Sequence, residues 1–193
     1  LGRDFQKYLK SEEKIKFVTP SFMKRVSNLN EECSTLGCYF IPTDQVFVSV
    51  YLEEFFDGVN INLERIIGTI EHEKTHRQFA YLAPESRDII VAKFIQNPNW
   101  EFIRSTFELH NPHYVENGLV STYGSLVDEL LARYIGYEAE LNPILVFKEE
   151  QVLTLIGDNI IDDEIRALLV EGETNFKNRI NPPKITRELV PVV

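Results

Sequence analysis

The sequence predicts an α+β fold, a small β-hairpin near the N-terminus followed by a mostly helical chain. Two short runs rich in β-branched and aromatic residues, 37–41 and 45–51, flank Pro42-Thr43-Asp44, which is the composition of a hairpin. From Asn60 onward apolar residues recur at helical spacing and are interrupted at Pro84, Asn97-Pro98, Asn111-Pro112 and Asn142-Pro143. A chain of 193 residues, 44% hydrophobic and 26% charged, can bury a sizeable core as one domain. Residues 1–180 are therefore expected to form that domain, and 181–193, with Asn181-Pro182-Pro183 and Val190-Pro191, an extended tail.

Each element follows from its own pattern. Residues 1–16 are polar, with Phe5, Tyr8, Leu9 and Ile15 as apolar anchors, and read as a short helix. Phe22, Met23, Val26 and Leu29 stand at i, i+1, i+4 and i+7, which predicts a helix over 21–29 capped by Ser21. After the hairpin, Asn60 or Asn62 caps a helix that buries Ile66, Ile67 and Ile70 and carries Glu64 in its first turn. Pro84 opens a helix over 84–96, and Asn99 caps another over 100–110 that ends before Asn111-Pro112. A loop follows over 113–124. Ser125-Leu126-Val127-Asp128 has the form of a capping box for a helix over 126–140, and 149–156 and 162–170 read as two further helices.

Composition narrows the function classes. Twenty Lys and Arg against thirty Asp and Glu give a net charge of -10 with no basic block. A nucleic-acid binder needs a positive footprint to neutralise phosphates, so no nucleic-acid partner is expected. The acidity serves solubility or shapes a cleft that favours neutral or basic peptides. No apolar run approaches the roughly 18 residues of a membrane span, and no signal peptide is apparent at the N-terminus. The chain begins at Leu1 and its only methionine is Met23, so a fragment or processed form is expected. Cys33 and Cys38, spaced C-x4-C, match no redox or zinc-ribbon pattern; two thiols are expected, with a local disulfide as the alternative.

The chemistry centres on His72-Glu73-Lys74-Thr75-His76. Histidines four residues apart on a helix stand one turn above each other, so both rings reach a single metal ion while Glu73 reaches its bound water. This is the signature of a zinc peptidase; the rival reading is two histidines with no metal. A catalytic zinc takes three protein ligands and keeps one position for water. Metzincins supply the third from H-E-x-x-H-x-x-G-x-x-H, but Phe79 and Leu82 occupy the glycine and third-histidine positions here, which excludes that class. Gluzincins use a glutamate on a later helix. Glu129 is the best candidate, because it shares a helix face with Ala132 and Gly136, small residues that permit close approach to the motif helix. The rival for Glu129 is an i, i+4 pair with Arg133. His110 and His113 are alternative ligands or hydrogen-bond donors.

The segment Ser121-Thr122-Tyr123-Gly124-Ser125-Leu126-Val127-Asp128-Glu129-Leu130-Leu131-Ala132 resembles the second active-site segment of the anthrax-toxin lethal-factor group of zinc peptidases, which includes the Pro-Pro endopeptidases. That segment has a Tyr-Gly pair, then an acid followed by two bulky apolar residues and Ala. The resemblance implies a zincin-like metallopeptidase domain, a zinc site completed by Glu129, a Tyr123 hydroxyl aimed at the scissile carbonyl, and a secreted toxin or effector delivered into a host cell. Lys74-Thr75 and Arg133 depart from the toxin's pattern, which has Phe-Gly and a further acid at those places. The rival for Tyr123 is an aromatic packed under a loop.

The expected activity is hydrolysis of a peptide or protein substrate. His72, His76 and Glu129 would hold Zn²⁺, Glu73 would activate the zinc-bound water, and Tyr123 would donate to the oxyanion. The strand over 45–51, as a sheet edge, would take the substrate by β-augmentation. Two alternatives stand beside this reading: a zinc hydrolase of a non-protein or cell-wall amide, and a non-catalytic zincin-like interaction module.

Overall fold

The structure, a computed structural model, describes residues 14–27, 36–49, 56–57, 60–140 and 147–180. The expected tail from Asn181, the first thirteen residues and Cys33 lie outside the described residues. The remainder is mostly helical with a small three-stranded sheet, an α+β fold.

The sheet is built on β3 (Gln45–Ser49), which lies between β1 (Ile15–Val18) and β2 (Gly37–Phe40). β2 pairs antiparallel with β3 in the register Cys38 to Phe47 and Phe40 to Gln45, the expected hairpin. β1 pairs parallel to β3, Ile15 to Val46 and Val18 to Ser49. Residues 15 and 16 are thus strand rather than the expected helix, because a strand distant in sequence satisfies their backbone groups.

Alternation along β3 sends its side chains to two helices. Val46 and Val48 pack with Ile66 and Ile70 of α2 (Leu63–Ala80), and Phe47 meets Phe22 of α1 (Pro20–Ser27), ring centroids 5.3 Å apart. The Thr19 hydroxyl accepts from the Phe22 N–H at 3.3 Å, so Thr19 caps α1 in place of the expected Ser21. Because β3 has neighbours on both sides, it offers no free edge for a substrate. Both β2 and β3 pack against α2, and of the two β2 is the edge strand.

Asp44 fixes β2 along α2. It ends the 3-10 turn Ile41–Thr43 in the left-handed region, φ 52°, where short polar side chains are tolerated. Its Oδ1 accepts from the Tyr39 hydroxyl at 2.9 Å and from the Tyr81 hydroxyl, just past α2, at 2.6 Å. A two-stranded ladder, β4 (Phe56–Asp57) with β5 (Asn60–Ile61), leads into α2. The Asn62 side chain caps that helix by accepting from the Arg65 N–H at 3.0 Å.

The remaining elements are α3 (Pro84–Ile95), α4 (Trp100–His110), α5 (Pro112–Glu116), α6 (Tyr123–Ala139), α7 (Phe147–Asn159) and α8 (Asp163–Ile180). Ile90, Phe94, Ile103, Leu130, Leu131 and Ile156 from α3, α4, α6 and α7 are fully buried in one cluster. The expected loop over 113–124 contains α5. Thr122 caps α6 through a box with Ser125, three residues earlier than expected, and Asp128 is therefore no capping acid. The last helix runs ten residues beyond its expected end at 170, through Gly172. A Cβ there would overlap the Gln78 carbonyl, so the glycine lets α8 lie directly on α2. Between these helices Arg77, 1% exposed, donates to both carboxylate oxygens of Glu173 at 3.2 and 3.0 Å and lies 4.0 Å over the Phe176 ring. Among the described residues no helix is long and apolar enough to cross a membrane.

Candidate metal centre

α2 and α6 meet backbone to backbone, and this contact builds the site. A Cβ on Gly136 would lie 2.8 Å from the Gly68 carbonyl oxygen and 3.0 Å from His72 Cβ; one on Gly68 would lie 2.9 Å from the Gly136 oxygen. Going away from this crossing, His76 is eight residues beyond Gly68 and Glu129 seven residues before Gly136. At 1.5 Å per residue they stand about 12 and about 10 Å along antiparallel helices, at matching levels. Ala132, fully buried, occupies the level of His72 and leaves room for its ring.

The ligand atoms converge accordingly. His72 Nε2 and His76 Nε2 are 3.2 Å apart, and Glu129 Oε2 lies 3.9 Å from the first and 3.4 Å from the second. A tetrahedral ion with bonds of about 2.0–2.1 Å needs ligand atoms about 3.3 Å apart, so this triangle closes on one ion with only small shifts. Two nitrogens and one carboxylate oxygen form a donor set suited to a borderline divalent metal and leave a fourth position for a small molecule. Among the described residues His72, His76 and Glu129 form the group that can hold a metal ion.

Surrounding groups orient these three. Asp128 Oδ1 lies 3.1 Å from His76 Nδ1, so the other face of that ring meets a carboxylate. The Ala132 carbonyl hydrogen-bonds the His72 imidazole. Arg133 Nε donates to Glu129 Oε1 at 2.7 Å, and its Nη1 donates to Glu149 Oε1, on α7, at 2.7 Å. One oxygen of Glu129 therefore serves Arg133 and the other faces the histidines.

Glu73 lies beside the triangle, with Oε1 3.9 Å from His72 Nε2, and is 6% exposed. Strand β2 presses on it. A Cβ on Gly37 would be 2.7 Å from Glu73 Cγ and 2.8 Å from its Oε1, and the Tyr39 backbone N–H donates to the carboxylate. Cys38, between them, carries a free thiol whose pKa burial and the nearby Glu73 charge push up to about 12.

Protonation follows from burial and charge. Burial raises Glu73 to about 7, opposed by His76 and assisted by Glu129. Burial lowers His72 to about 3, a neutral ring with a lone pair to share. His76 is also disfavoured by burial, yet the Asp128 and Glu129 carboxylates lift it well above the usual histidine value. Burial works against ionisation of Glu129 as well, but His76, His72 and Arg133 together hold its carboxyl far below the usual range.

Of the residues expected at the site, the structure brings together His72, Glu73, His76 and Glu129. Tyr123 is not brought to them. As the first residue of α6 it lies about 9 Å along the helix from Glu129 and about 120° round it. It is 55% exposed, its ring set edge-on against Trp100 at 6.0 Å. Tyr114 of α5 lies on the Arg133 side of the site, its ring 5.2 Å from that guanidinium carbon; burial raises the pKa of its hydroxyl, the Glu129 and Glu73 charges add to this and Arg133 opposes it. His113 stacks on that tyrosine at 4.6 Å, and His110 is exposed, its Nδ1 3.0 Å from the Thr106 carbonyl oxygen. Neither belongs to the ligand group. Asp128, Arg133, Tyr114 and Gly37 were not legible as site residues; the one available signal was the acid directly preceding Glu129. Comparison of the chain with protein-family models, with curated proteins and with solved structures finds no match.

Proposed function

We propose that the protein is a zinc-dependent endopeptidase of the gluzincin type, with His72, His76 and Glu129 as ligands and Glu73 as general base. One observation carries the reading: Glu129, 53 positions after His76 and on another helix, presents a single oxygen 3.4 and 3.9 Å from the two histidine nitrogens of an H-E-x-x-H helix. The zincin-like assignment draws support from the sheet packed against that helix and from the glycine contact that seats the second helix on it.

Bound zinc would polarise the substrate carbonyl and lower the pKa of water towards about 7. Glu73, 6% exposed and with Oε1 3.9 Å from His72 Nε2, would accept the proton of the attacking water and return it to the departing amine. The donor expected of Tyr123 falls to Tyr114. The Tyr114 hydroxyl, its ring 5.2 Å from the Arg133 guanidinium carbon, would supply the proton to a developing oxyanion. An extended peptide would bind along the outer edge of β2, whose backbone already contacts Glu73, rather than along the central β3.

The test is digestion of a peptide library by purified protein of measured zinc content, with and without chelator. Chelator-sensitive cleavage supports the reading. Zinc uptake with intact peptides would point to a non-peptide amide, and absence of zinc to an interaction module.

A further inference from the structure

We propose that Arg133 is a positioning residue for the metal: it holds Glu129 by Oε1 so that only Oε2 is presented to the ion. This rests on the metal reading above. Glu129 Oε1 accepts from Arg133 Nε at 2.7 Å, while Oε2 is the oxygen that faces His76 and His72. A carboxylate free to rotate offers both oxygens to a cation. Bidentate ligation would fill the position that a hydrolytic site must keep for water.

Arg133 is itself held on several sides. Its Nη1 donates to Glu149 Oε1 at 2.7 Å, and its guanidinium carbon lies 5.1 Å from the Phe107 ring centroid and 5.2 Å from that of Tyr114. A planar, rigid guanidinium set against two adjoining rings, with one nitrogen on each of two carboxylates, has little freedom to follow Glu129 if the latter turns. The i, i+4 spacing from Glu129 places both on one face of α6, and Glu149 ties that face to the first turn of α7.

The test compares wild type with R133M, R133K and E149Q, using zinc affinity by chelator competition and the visible absorption of the cobalt(II)-substituted proteins. R133M retains the length of the stem and loses the donors. It is expected to weaken zinc binding roughly 10- to 100-fold, the usual effect of removing a partner of a metal ligand. Its cobalt absorption should weaken as coordination rises from four to five, a change that loss of packing alone would not produce. R133K should fall between, and E149Q should move in the same direction by less. A folded R133M with wild-type zinc affinity and cobalt spectrum overturns the proposal; should R133M fail to fold, unchanged R133K and E149Q do so. A wild-type protein that takes up neither metal removes the metal site itself, and this role with it.

Discussion

Gly136 and Gly68 lie so close that a Cβ on either would come within 2.9 Å of the other's carbonyl oxygen. That contact sets the distance between the helix bearing both histidines and the helix bearing Glu129. Replacing Gly136 with Ala must push backbone against backbone, and His72 Cβ, 3.0 Å from the new methyl, must move with it. The variant is expected to lose about 1–3 kcal/mol of stability, the usual cost of overpacking, and to bind zinc more weakly. Denaturant unfolding and chelator competition on the same preparation check both effects.

Gly37 separates the base from the ligands. An added methyl there meets Glu73 Cγ, Glu73 Oε1 and Thr69 Cγ2 at 2.7, 2.8 and 2.8 Å and displaces the carboxylate, and no atom of His72, His76 or Glu129 is among these three nearest. Gly37→Ala should keep stoichiometric zinc while peptide hydrolysis falls at least about 10-fold, towards the 10²- to 10⁴-fold that a positioned base contributes. Parallel loss of zinc and rate would place the effect on the fold.

The two tyrosines give opposite expectations. Tyr114→Phe removes a partly buried hydroxyl from a ring beside Arg133 and is expected to lower kcat by about 10²- to 10³-fold with KM little changed. Tyr123→Phe removes an exposed hydroxyl from a ring resting on Trp100 and should leave kcat unaltered. Steady-state kinetics on one good peptide decides between them.

Acid should weaken the contact between α2 and α8 through Glu173. Burial raises that carboxyl, but the Arg77 charge and hydrogen bonds outweigh it and hold it below the usual glutamate value. A carboxyl depressed in the folded state contributes stability above its unfolded pKa and loses it as pH falls through the folded one. Glu173→Gln, which removes the carboxylate charge that faces the 1%-exposed Arg77, should cost about 2–3 kcal/mol at pH 7. The gap between variant and wild type should shrink steadily below about pH 4. Urea titrations at neutral and acid pH measure it.

The legible parts of the molecule were those written in local pattern. Within the 37–41 and 45–51 runs, Gly37–Phe40 and Gln45–Ser49 form β2 and β3, because alternation and a turn lie within one short segment. β1 was not readable, since Ile15–Val18 pairs with a strand some thirty positions later and shows no strand pattern of its own. Thr122 and Ser125 both offer a capping hydroxyl three residues before a hydrogen-bonding side chain, and choosing the later one hid the role of Asp128. At the site, Glu129 could be found from its small-residue face with Ala132 and Gly136, because helix packing needs that face. Arg133 and Tyr114 could not, as their positions depend on how α4, α5 and α7 close around α6. Tyr123 was carried over with a short motif, and helix geometry turns it away.

The central claim concerns Glu73 acting at a metal held by His72, His76 and Glu129. Its most direct test measures zinc content and peptide hydrolysis together in wild type and Glu73→Gln. One zinc per chain in both, with cleavage abolished only in the variant, is the predicted result. A wild-type protein without zinc, or a Glu73→Gln protein that cleaves at the wild-type rate, would contradict it.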